Sequence, residues 1–368
     1  MSKAIKFPLY AKLSILIIGL YVFISVLYIG RGIIVPLIFA FIIAIVLHPV
    51  VVFLVKKRMN RVLAIVITLL LAILIIAGIS TFVFSNASRF TESLPKLADK
   101  FTELLNQAVI WTSGYFNIST REITEWIGET KAELIDTSGL AIGSTILSVG
   151  SKLALAFLLP VYIFLILYYQ PILLEFFHKL FGAHNRIEVG IIINQVKTLI
   201  QGYLIGLSIE VLIVATLFTS GLLILGIEYA LLLGVIGALL NLIPYLGAFL
   251  GAILPMIMAI VTKPSPWFAF LVLGLFIFVQ LIDNNYIVPR VVASKVKINA
   301  LVSITAVLVF GALWGIPGMF LAIPLTGIIK LVFDNVKPLK PWGFLLGDTM
   351  PVNYLNNKQS ESVSLNGN

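Results

Sequence analysis

Glu210 stands in an apolar stretch, Tyr203–Ile227, that carries no other charge. A polar cluster of Gln280, Asp283, Asn284 and Asn285 closes a second apolar stretch, Pro264–Ile282, and Asn241 sits three residues before Pro244 in a third. Acids and amides in such surroundings suit a narrow chemistry. A carboxylate can carry a proton or hold a small cation, and an amide can bond a polar solute. An acid at membrane depth is expensive unless protonated or paired, so it marks a functional site by default. Each group also has a second reading. Glu210 lies about seven residues into its stretch and could reach headgroup water. Asn241 could satisfy carbonyls freed by Pro244, and the Gln280–Asn285 cluster could cap a helix at the interface. Other chemistries lack their residues. There is no cysteine, no histidine pair at ligand spacing, no paired acidic metal motif, no GxSxG turn and no phosphate-binding loop with its lysine. An enzyme, a metal centre, a bound cofactor and an ATP-driven pump are therefore not expected.

The elements that carry these residues follow from composition. Hydrophobic residues make up 60% of the 368 and charged residues 11%, against about 25% charged in a soluble domain. Most of this chain is built for lipid, and the bilayer is its first expected partner. The formal charge of +9 then points to cytoplasmic loops rather than to nucleic acid. Eight uncharged or nearly uncharged runs are long enough to matter: Leu13–Gly30, Gly32–Val55, Val62–Phe84, Leu153–Tyr169 with Pro160 inside it, Tyr203–Ile227, Tyr229–Thr262, Pro264–Ile282 and Ile298–Ile329. They are continuous rather than alternating, which predicts helices and not barrel strands. The first run has basic residues ahead of it, but a second run begins at once, so a retained hairpin is expected rather than a cleaved leader.

Lys3, Lys6 and Lys12 place the N-terminus inside, and Lys56, Lys57, Arg58 and Arg61 place the second loop inside too. Ser85–Gly143, with eight acids and five basic residues, is then outside. Within it Phe90, Leu94, Leu97, Phe101, Leu104, Leu105 and Ala108 recur at helical spacing, which predicts one or two amphipathic helices on the outer face or against a neighbouring subunit. Glu175–Lys197 reads as a cytoplasmic amphipathic helix.

Two runs are too long for one crossing. Tyr229–Thr262 would extend roughly 50 Å as a single helix, against about 30 Å of hydrocarbon. Its middle holds Pro244, Tyr245 and Gly247; the middle of Ile298–Ile329 holds Trp314, Gly315, Pro317 and Gly318. Proline removes a backbone donor and glycine supplies turn geometry, so each run should break there. The flanks match weakly: Ile243-Pro244 leads to Pro255 as Ile316-Pro317 leads to Pro324. Re-entrant hairpins would put Arg290, Lys295 and Lys297 inside and only Lys263 outside, as charge bias prefers. The expected fold is therefore an all-α polytopic membrane protein of about six full spans plus two broken re-entrant hairpins in an inverted repeat. The chain divides into residues 1–84 (three spans), 85–143 (extracytoplasmic helical segment), 144–200 (fourth span and cytoplasmic helix), 201–335 (inverted-repeat core) and 336–368 (a disordered cytoplasmic tail). Broken helices at membrane depth line protein or a water-filled cavity, and paired inverted units of this kind are a common plan of secondary transporters. A non-transporting scaffold would need neither the breaks nor Glu210.

Three stretches carry a family resemblance: Gly234–Gly247, Gln280–Pro289 with Val291-Val292, and Gly311–Gly318 leading into Ile323-Pro324. They resemble the signature of the autoinducer-2 exporter-like transporters, as do Val35-Pro36, His48-Pro49, Arg61 and Gln201-Gly202. Asn299-Ala300 departs from the proline-containing pair of many relatives, which bears on how the second hairpin begins. The resemblance covers about residues 10–335. It implies a multi-pass protein of the bacterial inner membrane with both termini cytoplasmic, forming a homo-oligomer, with a pentamer suggested. The cargo it implies is autoinducer-2 or another small polar solute, with sodium (lithium)/proton antiport as the alternative.

Overall fold

A chain in lipid must satisfy its backbone internally, and the helix does so within one segment. The computed structural model describes residues 8–86, 103, 149–181, 186–243, 247–293 and 296–349, with side chains 149–156, 248–250 and 292–293 excepted. Among these the secondary structure is helical apart from one isolated backbone bridge, Ile298 to Gly347. The elements are α1 Leu9–Ile29, α2 Arg31–Lys56, α3 Arg61–Asn86, α4 Val149–Leu180, α5 Arg186–Ile224, α6 Ala230–Asn241, α7 Gly247–Thr262, α8 Trp267–Ile282, α9 Ala300–Trp314, α10 Ile316–Asn335 and α11 Lys340–Leu346. Two π-helical turns, Asp283–Ile287 and Pro289–Ala293, prolong α8. Hydroxyls inside the helices turn back on their own backbone. Thr68, Ser208, Thr216, Thr262 and Thr305 each donate to the carbonyl four residues earlier at 2.7–2.9 Å, which hides the polar atom from lipid.

Seven described helices are long and apolar enough to cross a membrane. Six coincide with the expected spans, and the seventh is α10, the outgoing limb of the second hairpin. The chain is an all-α polytopic membrane protein. Its contacts form two units, residues 36–170 with 209–286, and residues 1–35 with 171–208 and 287–368.

In the first unit, α2, α3 and α4 close on a core of Ala40, Ala44 and Val51, Ala64, Ile65 and Leu69, and Ile163 and Leu167. Alanines four apart let helix backbones approach, the usual device where lipid removes the hydrophobic incentive to associate. Arg61 opens α3 and clamps α4, its Nη2 donating to Leu167 O at 2.7 Å and to Gln170 Oε1 at 3.2 Å. The same unit holds the first broken run. The limbs α6 and α7 pack together, with Gly251 so near Gly237 that an added Cβ would lie 3.1 Å from its Cα. On its other side Gly237 faces Phe218 of α5 and Phe276 of α8, which stack at 4.0 Å.

The second unit holds the other hairpin. Asn299 caps α9, its Oδ1 accepting from Val302 N at 2.9 Å. Gly315 alone separates α9 from α10, at φ 68 and ψ −147, a region open essentially to glycine. Trp314 at the tip donates Nε1 to Leu27 O of α1 at 3.0 Å, which satisfies a carbonyl in the last turn of that helix.

Several expectations are corrected. Pro244, Tyr245 and Leu246 fall outside the described residues, but Gly247 is already the first residue of α7. The second break is Gly315 alone; Ile316, Pro317 and Gly318 form the first turn of α10, where proline's missing donor is harmless. Glu175–Lys197 is not one helix. α4 runs through Pro160 and Pro171 to Leu180, and a separate helix, α5, begins at Arg186, whose Nη2 meets Glu175 Oε2 at 3.1 Å. α5 then continues unbroken into the fifth span. The tail expected to be disordered from residue 336 is ordered to Gly347, with a 3-10 turn at Lys337–Leu339 and then α11. The apolar stripe Phe90–Ala108 lies outside the described residues except at Glu103.

Candidate functional site

Three helices of the first unit deliver three polar side chains to one place. Glu210 projects from α5, Asn241 is the last residue of α6, and Asp283 follows directly on α8. Glu210 and Asp283 are 6% and 1% exposed, which sets them apart from every other described acid. The Asn241 Nδ2 donates to Asp283 Oδ2 at 2.9 Å and, longer, to Glu210 Oε1 at 3.4 Å. The amide orientation follows from the partners, because its oxygen would face two carboxylates if reversed. Asp283 Oδ1 is buried without a hydrogen-bond partner.

The sequence explains this local geometry. The Gly237 crossing and the Phe218–Phe276 stack hold α5, α6 and α8 together within about two turns of the cluster. α6 stops at Asn241, so the amide sits at a helix end and not along a packed face. Leu242 and Ile243 continue as a tight turn, and an added Cβ on Gly247 would overlap Leu240 O. Only glycine permits that approach of Gly247 to the last turn of α6.

The arrangement supplies one neutral amide for two buried carboxylates. A buried carboxylate without a compensating partner is strongly unfavourable, and a single amide carries no charge to compensate either. Both bonded oxygens lie within 3.4 Å of one nitrogen, so the two carboxylates meet at a single donor. No group of three or more His, Cys, Asp and Glu side chains suited to a metal occurs among the described residues.

Of the other expected site residues, Gln280 Nε2 bonds Asn284 Oδ1 at 3.3 Å, and Asn285 Nδ2 bonds its own helix at Leu281 O at 2.8 Å. Asn284 and Asn285 are exposed, so Asp283 alone of that polar run is buried. Trp314, Gly315, Pro317 and Gly318 belong to the second unit. There Gly318 is buried at the tip, and an added Cβ would overlap Phe310 O. Sequence reading did not foresee the Arg61 clamp on α4. Arg61 stands in the sequence as a loop charge and as part of the family resemblance, and nothing local marks a partner 106 residues away.

The family model described as AI-2E family transporter matches residues 13–337. The chain belongs to that family. Within it, the chain is 29% identical over 349 residues to YueF of Bacillus subtilis (strain 168), covering 89% of each. YhhT of Escherichia coli (strain K12) is 25% identical over 342 residues, covering 90% of this chain and 93% of YhhT. Both relatives are named provisionally as transport proteins. The AI-2 transport protein TqsA of Escherichia coli (strain K12) is 25% identical over 318 residues, covering 86% of this chain and 90% of TqsA. Family membership and the apolar helices together make this chain a multi-pass membrane transporter, and the buried Glu210–Asn241–Asp283 cluster lies within the span that the family model covers.

Proposed function

We propose that this AI-2E family member is a cation-coupled secondary transporter of the bacterial inner membrane, and that Glu210 and Asp283 hold the coupling proton or monovalent cation. The observation that carries the reading is the single Asn241 amide shared by two buried carboxylates. A proton or small cation completes that set, and its departure leaves two charges that only a rearrangement or a new cation relieves. Such a group can alternate between loaded and empty states as the protein moves, which is what coupling requires. The cargo proposed is a small polar solute of the autoinducer-2 class, the cargo named for TqsA.

Proteoliposomes with an imposed proton or sodium gradient test this. Glu210→Gln keeps the shape and cannot ionise, so it should fold, reach the membrane and lose gradient-driven flux. Gradient-driven flux equal to that of the parent would remove Glu210 from the mechanism. A second reading, sodium (lithium)/proton antiport with the cation itself as cargo, is favoured by the same two-carboxylate set. Cation counterflow in liposomes without any organic solute separates the two.

A further inference from the structure

The chain does not leave the protein where α10 ends. From Val336 it forms an arm, the Lys337–Leu339 turn and α11, that is fastened back onto the start of α9. Asn299 N donates to Leu346 O at 3.2 Å, and its Nδ2 donates to Leu345 O at 2.8 Å and Gly347 O at 3.0 Å. Gly343 lies against Asp334 so closely that a side chain there would overlap it. Fixed in this way, the arm turns Trp342, Phe344 and Leu345 outward, at 58%, 56% and 60% exposure. Lys337 and Lys340 are exposed beside them.

An aqueous surface does not favour three large apolar side chains on one seven-residue helix. The position of the arm decides its surroundings: it follows directly on α10, which is long and apolar enough to cross the bilayer. It therefore lies at the membrane–water boundary, where indole rings and lysines concentrate. Between the arm and the end of α10 is an open cavity of about 300 Å³ whose lining includes Lys330, Asp334, Lys340, Gly343 and Phe344. There Lys330 is taken by Asp334 at 2.5 Å. Lys337 and Lys340 have no acidic partner among the described residues, and the remaining acid of the segment, Asp348, lies beyond the arm.

We infer that residues 336–347 form a docking surface for the headgroups of anionic phospholipids. Lys337 and Lys340 meet the phosphate, the cavity beside Lys340 receives part of the headgroup, and Trp342, Phe344 and Leu345 enter the glycerol and upper acyl region. The charge selects the partner. A second copy meeting this face across a two-fold axis would bring the same two lysines together and repel, whereas an anionic lipid supplies the missing countercharge.

The test uses the full-length protein in phosphatidylcholine nanodiscs containing graded phosphatidylglycerol, with bromine on the acyl chains of one lipid at a time. Trp342 emission is read as the difference between the parent and Trp342→Phe. Brominated phosphatidylglycerol should quench it more than brominated phosphatidylcholine at equal mole fraction. That preference should fall about fivefold for each lysine removed in Lys337→Gln and Lys340→Gln, following the usual contribution of a basic residue at an anionic surface. Both lysines are exposed, and the single variants stand in if the double variant folds poorly. Equal quenching by the two lipids, an unchanged preference in the variants, or a Trp342 shielded from both lipids by a neighbouring copy would each overturn the inference. The readout is lipid contact and not flux, so it stands or falls apart from the transport reading.

Discussion

Asn241 is the residue on which the two acids depend. Removing it leaves two buried carboxylates without their shared donor, at a cost of about 1–3 kcal/mol for each unsatisfied group. Asn241→Leu should therefore lower the thermal unfolding temperature of the purified protein and abolish coupled flux. The fall in unfolding temperature should shrink in a background of Glu210→Gln and Asp283→Asn, where the buried charge is gone. A double-mutant cycle should return a coupling of about 1–3 kcal/mol between position 241 and the acids. Independent, additive effects would mean that the hydrogen bonds do not organise the cluster. Asp283→Asn should resemble Glu210→Gln in transport, because either substitution removes one of the two charges.

The two hairpins depend on glycine in two physically different ways. Gly318 faces the Phe310 carbonyl, so any Cβ there must push the limbs apart. Gly315 has open space around it and is held instead by its backbone conformation. Gly315→Ala should destabilise by about 1–3 kcal/mol through strain alone. Gly318→Val should cost more and disturb the packing of α9 on α10. Gly19 of α1 has nothing near it, so Gly19→Ala should be close to neutral. Thermal unfolding in detergent ranks the three, and a Gly315→Ala variant as stable as Gly19→Ala would show that the tip relaxes freely. The weak sequence repeat pairs Pro255 with Pro324 at unequal spacings from the preceding Ile-Pro pair, and the helix starts bring them into register: each falls eight residues past the first residue of its helix.

For the molecule as a whole, topology remains a proposal that the composition makes easy to test. The native chain has no cysteine, so every labelling site can be introduced singly. Cysteines at Ser2 and Asp348 should react only from the cytoplasmic side, Thr120→Cys only from outside, and Lys295→Cys from the cytoplasmic side. Outside labelling at position 295 would make the broken runs full crossings. Much of this fold is legible in the sequence because apolar runs and their interruptions are local properties. The spans followed from them, and so did Gly315 as part of the second break, though Pro317 and Gly318 belong to the helix after it. What escaped reading required partners distant in the chain. The continuation of α5 from the loop into the span was hidden by its polar first half. The arm after α10 looked like a tail because its fastening, Asn299 to Leu345 and Gly347, spans 46 and 48 residues. The candidate site was half legible. Glu210 and Asn241 stood out by type, but the run Gln280–Asn285 does not show which of its polar residues turns inward.

That last ambiguity traces to the π-helical turns that begin at Asp283. A π turn closes one residue later than an α turn, so this stretch holds more residues per turn than the helix before it. Asp283 itself keeps the αR backbone of α8, so α8 sets its inward direction. Losing one residue between Asp283 and Ala293 would let the stretch revert to α geometry and change which of the residues after Asp283 share its face. Among family members, a one-residue gap at this place would therefore re-aim the amides beside the acid while leaving the carboxylate pair intact.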